Sequence, residues 1–247
     1  MPNPAPAVVR LAMWSGPRNL STALMRSFGN RPDTAVVDEP FYAHYLKATG
    51  LEHPGREEIL ATHESDAATV ANALIGPVPG GRRLWYQKHM SHHLLPGMDD
   101  LMPGWLDRLT HAFLVRDPAR VIVSFAKVVP NPTPKDLGLP QQLRLLERLR
   151  MQGLDPPVAD AADIRRDPRR ALSELCRRLG IPFDEAMLAW PPGPRETDGV
   201  WAKHWYASVE RSTGFEPPEE GEPPEVPSDL QGVLAECRAI YEAIRAA

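Results

Sequence analysis

Few cysteines and no long apolar segment occur in this sequence of 247 residues. Its two cysteines, Cys176 and Cys237, cannot form a framework of disulfides, and we expect them to be small buried side chains. No apolar run approaches the roughly 18 residues of a membrane-spanning helix. The first residues also lack the basic and apolar regions of a signal peptide. These absences predict a cytoplasmic protein that does not act in a membrane.

An excess of positive charge is missing as well. The 28 Lys and Arg residues are outnumbered by 32 Asp and Glu residues, which gives a formal net charge of −4. We therefore expect no general binding to nucleic acid or to membrane surfaces, and any anion must be held by a local site. The spacing of His, Cys, Asp and Glu predicts no metal site. The sequence does not predict the oligomeric state.

Short apolar runs that alternate with helical patterns predict the fold class. The predicted strands cover 8–14, 34–38, 83–88, 110–115 and 157–160, and the main predicted helices cover 20–28, 42–49, 67–75, 119–128, 139–151 and 168–179. Residues 51–66 are polar, and the acidic, proline-rich stretch 216–227 is expected to be a solvated loop before a C-terminal helix over 228–247. This alternation predicts an α/β fold, with a mostly parallel central sheet of about five strands flanked by helices, in one domain over 1–247.

A polar loop joins the first predicted strand to the first predicted helix and reads Ser-Gly-Pro-Arg-Asn-Leu-Ser-Thr over 15–22. A helix N-terminus presents free N–H groups and a positive dipole end, so this loop can bind a phosphate, helped by Arg18 and the hydroxyls of Ser21 and Thr22. Counted from Gly16, Ser and Thr stand where an ATP-hydrolysing P-loop has Gly and Lys, so ATP hydrolysis is not expected. An ordinary turn with a surface arginine explains the loop equally well.

A second segment of this kind follows the fourth predicted strand. Arg116 ends that strand, Asp117 and Pro118 are typical of a helix start, and Ser124 lies eight residues after Arg116. A guanidinium and a hydroxyl at this spacing can hold one phosphate together. The alternative is that Arg116 pairs with Asp117 and that Ser124 only belongs to the helix.

The two segments together resemble sulfotransferases that use 3′-phosphoadenosine 5′-phosphosulfate. The segment from Arg116 to Ser124 is similar to their 3′-phosphate segment, and the loop 15–22 is similar to their 5′-phosphosulfate loop, with Arg18 in place of a lysine and Leu20 in place of a glycine. Residues 194–205 are similar to a late motif of the family, although its spacing is altered. The resemblance spans about 8–215 and implies a P-loop NTPase-like fold with three layers.

This resemblance implies the function and the residues of the site. A sulfonate group would pass from 3′-phosphoadenosine 5′-phosphosulfate, without a metal, to a hydroxyl or amine of a small-molecule acceptor. Arg18 would stabilise the charge that develops during transfer. The residues expected to bind the donor are Gly16, Pro17, Arg18, Asn19, Leu20, Ser21, Thr22, Arg116, Ser124, Trp201 and Lys203.

Two residues are candidates for the general base that the transfer needs. Glu39 follows the second predicted strand, where related bacterial and Golgi-type sulfotransferases use an early Glu. His89 follows Lys88 near the end of the third predicted strand, where cytosolic sulfotransferases place a His. We favour Glu39 slightly, because it lies at the ligand-facing edge, although a helix cap or a salt bridge would also explain it.

Two further functions remain open from the sequence. One is a nucleotide-binding protein of the same fold that does not catalyse transfer. The other is a P-loop kinase of small molecules, which the absent P-loop lysine disfavours.

Overall fold

The computed structural model describes residues 8–98, 104–218 and 221–246. Its centre is a parallel five-stranded sheet in the order β2-β3-β1-β4-β5. The strands are β1 (Val9–Ser15), β2 (Thr34–Asp38), β3 (Leu84–Met90), β4 (Thr110–Val115) and β5 (Val158–Asp160). Four of the five predicted strands match these within one residue at each end. The third prediction, 83–88, stopped two residues short of Met90.

Helices connect the strands and cover both faces of the sheet. They are α1 (Ser21–Gly29), α2 (Tyr42–Thr49), α3 (Arg56–Thr62), α4 (Ala67–Leu74), α5 (Pro118–Phe125), α6 (Leu139–Met151), α7 (Ala161–Arg166), α8 (Pro168–Arg178), α9 (Ala202–Trp205), α10 (Ala207–Arg211) and α11 (Gln231–Arg245). Among the described residues, none of these helices is both long and apolar enough to cross a bilayer.

The register of the sheet brings the carboxyl ends of its strands together. Ser15 at the end of β1 lies beside Met90 of β3 and Leu114 of β4. Asp38 at the end of β2 lies beside Lys88 of β3. Because ligands of such sheets bind where the strands end, the segments that follow β1, β2, β3 and β4 define the functional edge.

The core lies on both faces of the sheet, which makes the fold three-layered. On one face, Trp14 and Phe113 pack in a cluster that reaches α4, α5, α6 and α11. On the other face, Met13 and Tyr86 pack with side chains of α1 and α8. Burial on both sides explains why the strands read as continuous apolar runs. The predicted α/β class is therefore confirmed.

Some helices differ from the prediction. Helix α3 lies inside the polar stretch 51–66 and buries only Ile59, so it has no apolar period to detect. The last helix begins at Gln231, since Ser228 opens a single 3₁₀ turn instead. Within 216–227, the residues that the structure describes form neither a helix nor a strand.

Candidate active site

The backbone of the loop between β1 and α1 has an unusual conformation. Arg18 and Leu20 have φ angles of 59° and 60°, in the left-handed region, while Asn19 between them does not. Alternation of this kind turns successive N–H groups toward one side, as in anion-binding nests. Helix α1 begins directly afterwards, and its N-cap residue Leu20 makes no side-chain capping hydrogen bond. A backbone of this kind at the start of a helix is suited to offering N–H donors to an anion, and the predicted phosphate site at this loop stays a prediction.

The start of this loop requires glycine at position 16, because the backbone of Leu137 lies close to it. A Cβ atom at this position would lie 2.2 Å from the carbonyl oxygen of Leu137. Helix α6 begins two residues later, and Gln142 on it donates to the carbonyl oxygens of Trp14 and Leu114 at 2.9 and 3.2 Å. The segment before α6 thus supports the loop from one side.

The second predicted phosphate segment contacts the first directly. The Arg18 guanidinium donates through Nε to Ser124 Oγ at 3.0 Å, and Arg116 donates to the carbonyl oxygen of Arg18 at 2.6 Å. Asp117 caps α5 by accepting from the Arg120 N–H at 3.1 Å, which fixes where Ser124 lies on the helix. The structure therefore brings Arg18, Arg116 and Ser124 together.

Lys88 occupies the centre of a buried polar network beside the same loop. Its Nζ donates to Thr22 Oγ1 at 3.1 Å and lies 2.9 Å from oxygens of both Asp38 and Glu39. It also donates to the Tyr206 hydroxyl at 2.5 Å. The side chain of Lys88 is 1% exposed. A cation, a hydroxyl of α1 and the carboxylate of Glu39 thus meet at one point.

The charges of this network do not balance within the group. Two carboxylates, Asp38 and Glu39, surround one ammonium. Burial alone would lower the pKa of Lys88, but the two carboxylates and Tyr206 outweigh it and hold that pKa well above the ordinary value. Burial raises the pKa of Glu39, with the Asp38 charge acting in the same direction and the Lys88 charge opposing both. Lys88 therefore stays charged, and Glu39 is a stronger base than an exposed glutamate.

The backbone fixes Glu39 where β2 ends. Its φ of 41° lies in the left-handed region, its N–H donates to the Lys88 carbonyl at 3.0 Å, and its own carbonyl accepts from the Tyr42 N–H at 3.0 Å. The chain thus turns sharply between strand β2 and helix α2. This turn directs the Glu39 carboxylate to Lys88 and leaves the side chain 11% exposed.

His89, the second candidate base, lies outside the Lys88 network. Successive residues of a strand point to opposite faces, so Lys88 packs toward α1 while His89 stacks on Trp14 with ring centroids 4.3 Å apart. Its Nε2 lies 3.3 Å from Gln87 Oε1. Burial, with a smaller contribution from His111, lowers the pKa of His89 to about 3. Of the two candidate bases, only Glu39 contacts Lys88.

Residues 199–206 approach the Lys88 network, but the predicted donor-binding residues Trp201 and Lys203 do not contact it directly. Trp201 is buried and donates to the Tyr206 hydroxyl at 3.2 Å, and Lys203 forms an exposed ion pair with Glu58. The residues that reach the network are Tyr206, which donates to Asp38 at 2.7 Å, and Gly199, whose N–H donates to Asp38 at 3.2 Å.

The sequence analysis did not select Asp38, Lys88 or Tyr206 as site residues. A charged residue inside a predicted buried strand was the available signal for Lys88. No local pattern joins Asp38 to Tyr206, because 168 residues separate them. In residues 8–98, 104–218 and 221–246, no cluster of three or more His, Cys, Asp or Glu side chains could hold a metal ion.

The sheet order, the nest at the first loop and the paired second segment define an α/β protein of the P-loop-like class. The family described as a sulfotransferase domain matches residues 9–247. The chain belongs to this family, and the predicted resemblance is confirmed.

Solved structures of sulfotransferase domains share this fold. The sulfotransferase domain of an olefin synthase from Synechococcus PCC 7002 has a TM-score of 0.53 and 19% identity, over 97% of each chain. A sulfotransferase from Alicyclobacillus acidocaldarius has a TM-score of 0.53 and 16% identity, over 96% of each chain. At such low identities the likeness extends to the fold only.

Two curated relatives from Arabidopsis thaliana are longer proteins. Branched-chain-amino-acid aminotransferase-like protein 1 is 40% identical over 94% of this chain and 41% of its own length. Protein 2 is 37% identical over 94% of this chain and 40% of its own length. The chain thus spans about two fifths of these relatives.

Proposed function

We propose that this chain transfers a sulfonate group from 3′-phosphoadenosine 5′-phosphosulfate to a hydroxyl or amine of a small-molecule acceptor. The observation that carries the proposal is the position of Lys88 between Thr22, 3.1 Å away on the phosphate-loop helix, and Glu39, 2.9 Å away. The helix that follows the proposed phosphate-binding loop and the proposed base thus both contact the ammonium group of Lys88. Membership of the sulfotransferase-domain family supports the same reaction.

The donor set fits a nucleotide with phosphate groups at both ends of its ribose. The backbone N–H groups of the loop, with Arg18, Ser21 and Thr22, would bind the 5′-phosphosulfate. Arg116 and Ser124, at the neighbouring strand end, would bind the 3′-phosphate. Trp201 and Lys203 have other partners in the structure, so we do not assign the donor to them.

In the proposed reaction Glu39 accepts the proton of the acceptor hydroxyl as its oxygen attacks sulfur. The new oxygen–sulfur bond forms while the bond from sulfur to the bridging phosphate oxygen breaks, and that oxygen leaves with the electron pair on adenosine 3′,5′-bisphosphate. Arg18 and Lys88 stabilise the negative charge that moves to the leaving phosphate. The raised pKa of Glu39 favours proton transfer near neutral pH.

The name of the Arabidopsis relatives raises a different activity. That name describes proteins of which this chain spans about two fifths. We do not extend the aminotransferase-like description to this chain, because the family that matches residues 9–247 is the sulfotransferase domain. A binding protein of the same fold without catalysis is the main alternative.

Calorimetric titration with adenosine 3′,5′-bisphosphate in the presence of EDTA tests the donor site. We expect micromolar binding by the wild type and at least tenfold weaker binding by Arg116→Ala, because hydrogen bonds to charged groups contribute about 1.5–3 kcal/mol. Arg120→Ala is the matched control, since Arg120 lies four residues after Arg116 and donates to the Gly221 carbonyl at 3.1 Å.

Turnover distinguishes an enzyme from a binding protein. Once a screen has identified an acceptor, Glu39→Gln should lower kcat by a factor of about 10²–10⁴, which is the usual contribution of a general base. Wild-type protein that is folded yet does not bind the bisphosphate would refute the donor assignment. Tight binding without turnover of any acceptor would favour the non-catalytic alternative.

A further inference from the structure

The two carboxylates beside Lys88 are held in different ways. Asp38 accepts from Lys88 through Oδ1 at 2.9 Å. Its other oxygen, Oδ2, accepts from the Tyr206 hydroxyl at 2.7 Å and from the Gly199 N–H at 3.2 Å. The side chain of Asp38 is 1% exposed, whereas that of Glu39, also 2.9 Å from Lys88, is 11% exposed. Asp38 is therefore the enclosed partner of Lys88, and Glu39 is the partner at the open edge.

The hydroxyl of Tyr206 is fully engaged beside these two groups. It donates its proton to Asp38. It accepts from Lys88 at 2.5 Å and from Trp201 Nε1 at 3.2 Å, which occupies both of its lone pairs. Trp201 in turn packs so closely on Gly199 that a Cβ atom at position 199 would lie 2.1 Å from the indole ring. Trp201, which the resemblance assigned to the donor, thus supports the groups that hold Asp38.

Lys88 has more oxygen neighbours than it has donors. An ammonium group carries three N–H bonds, but four oxygens lie within 3.1 Å of Nζ, on Thr22, Asp38, Glu39 and Tyr206. Asp38 and Tyr206 are bonded to each other and buried, so a ligand does not reach them. Thr22, at the start of α1, and Glu39, at the end of β2, lie at the functional edge. Lys88 can therefore exchange a partner at that edge and still keep a counterion.

The charge of Asp38 also acts on the proton affinity of Glu39. Burial is the largest cause of the raised pKa of Glu39, the charge of Lys88 opposes it, and the charge of Asp38 adds to it. Burial keeps the neighbouring tyrosines and histidines neutral near pH 7, because it raises the pKa values of the former and lowers those of the latter. The titratable groups around Glu39 include Asp38, Tyr42, Lys88, His89, His93 and Tyr206.

Resting on the proposed function, we infer that Asp38 and Tyr206 are positioning residues: Asp38 is the permanent counterion of Lys88, Tyr206 holds the pair together, and Glu39 is thereby left free to act as the base. Both act through Lys88 and Glu39, and neither contacts the reacting atoms. When the donor binds, Lys88 exchanges Glu39 for an oxygen of the phosphosulfate and keeps Asp38. Without Asp38, Glu39 would have to serve as the counterion and would accept a proton less readily.

Carbon-detected NMR of the side-chain carboxyl groups tests this inference on the protein without ligand or turnover. The Glu39 signal is assigned by its loss in Glu39→Gln. We expect the pKa of Glu39 to lie above 4.5 in the wild type and to be lower in Asp38→Asn, because a neighbouring negative charge is removed while Lys88 stays. Asp33→Asn is the matched control, since Asp33 precedes the same strand at its other end and pairs with Arg31. An unchanged or higher pKa of Glu39 in Asp38→Asn would overturn the inference.

A second pair of variants decides the matter if Asp38→Asn does not fold. Lys88→Met with Asp38→Asn removes both charges of the buried pair together, so no unpaired ion of that pair remains. The pKa of Glu39 should be lower in this double variant than in Lys88→Met alone. Equal values in the two proteins would refute the effect of Asp38 on Glu39.

Kinetics with the acceptor that the screen identifies separate a positioning role from a structural one. Asp38→Asn and Tyr206→Phe should lower kcat by about 10–100-fold, the scale of loss when a reacting group is misplaced. The KM for the acceptor should stay within about twofold, because neither side chain is proposed to contact it. In Asp38→Asn the acidic limb of the kcat profile should also move to lower pH. Tyr241→Phe is the matched control, since its hydroxyl donates to another buried carboxylate, that of Asp160, at 2.6 Å. An unchanged kcat in folded Tyr206→Phe would contradict the role of Tyr206.

Failure of this inference and failure of the proposed function give different results. If adenosine 3′,5′-bisphosphate does not bind, the donor assignment fails, while the NMR titration still decides whether Asp38 controls the basicity of Glu39. If the bisphosphate binds and turnover is observed, but the pKa of Glu39 is the same in the wild type and in Asp38→Asn, this inference alone fails.

Discussion

Replacement of Lys88 by methionine removes the only positive charge that faces the two carboxylates of the buried network described here. Asp38 and Glu39 each lie 2.9 Å from Nζ, and Lys88 is 1% exposed. Removal of one partner of a buried ion pair typically costs about 3–5 kcal/mol, because the remaining charge is neither paired nor hydrated. For a chain of this length that loss lowers Tm by about 6–20 °C. Urea unfolding at pH 8, followed by circular dichroism, measures it.

The destabilisation should depend on pH in a defined direction. In the wild type, the raised pKa of Lys88 contributes stability that is fully present below about pH 10.5. Between pH 6 and pH 8 that contribution is constant. In Lys88→Met, the pKa of Glu39 rises further above its unfolded value because the opposing Lys88 charge is gone, so the folded state binds more protons than the unfolded state. The difference in unfolding free energy from wild type should therefore shrink as pH falls from 8 to 6.

The matched control is Lys203→Met, which breaks an exposed ion pair with Glu58. Exposed pairs contribute little, and we expect a change within about 0.5 kcal/mol. A destabilisation by Lys88→Met of less than about 1 kcal/mol, or one that is the same at both pH values, would contradict the electrostatic reasoning.

Two further predictions concern stability. His89 has a pKa of about 3 when folded, so the stability it contributes is complete above about pH 6.5 and is lost as pH falls; at pH 5 the loss is about 2 kcal/mol. Urea unfolding of His89→Phe at pH 7.5 and pH 5 should show this pH-dependent loss reduced by that amount, and an unchanged loss would contradict the burial of a neutral imidazole. Gly16→Ala should destabilise by about 1–3 kcal/mol because its Cβ meets the Leu137 carbonyl, whereas Gly232→Ala, with open space in α11, should stabilise slightly. Equal effects of the two alanine substitutions in thermal unfolding would refute the close approach at Gly16.

The sequence was sufficient for the sheet and for placing Arg18, Arg116 and Ser124 at neighbouring strand ends, because both depend on local patterns. Each strand is an apolar run, and Arg18, Arg116 and Ser124 follow neighbouring strands whose ends must meet. Glu39 could be selected for the same reason. The period of two in a strand would also have separated Lys88 from His89, since adjacent strand residues point to opposite faces.

The remaining features of the site depend on tertiary contacts. Tyr206 joins Asp38 across 168 residues, and the sequence around Tyr206 contains no motif that indicates this contact. The late segment was assigned to the donor by resemblance, yet Trp201 packs against Tyr42 and Lys203 pairs with Glu58. Only the tertiary packing shows that Tyr206 contacts Lys88 and Asp38, whereas Trp201 contacts Tyr206.

The left-handed conformations of Arg18 and Leu20 have a consequence for the entropy of binding. For residues with a Cβ atom, each such conformation costs roughly 1–2 kcal/mol, and the folded protein maintains both by its surrounding contacts. A loop with glycine at position 20 would sample many more conformations before a ligand arrived. Here most of that freedom is lost when the chain folds, so an anion meets a loop that is already ordered. Its binding then requires little further loss of chain entropy.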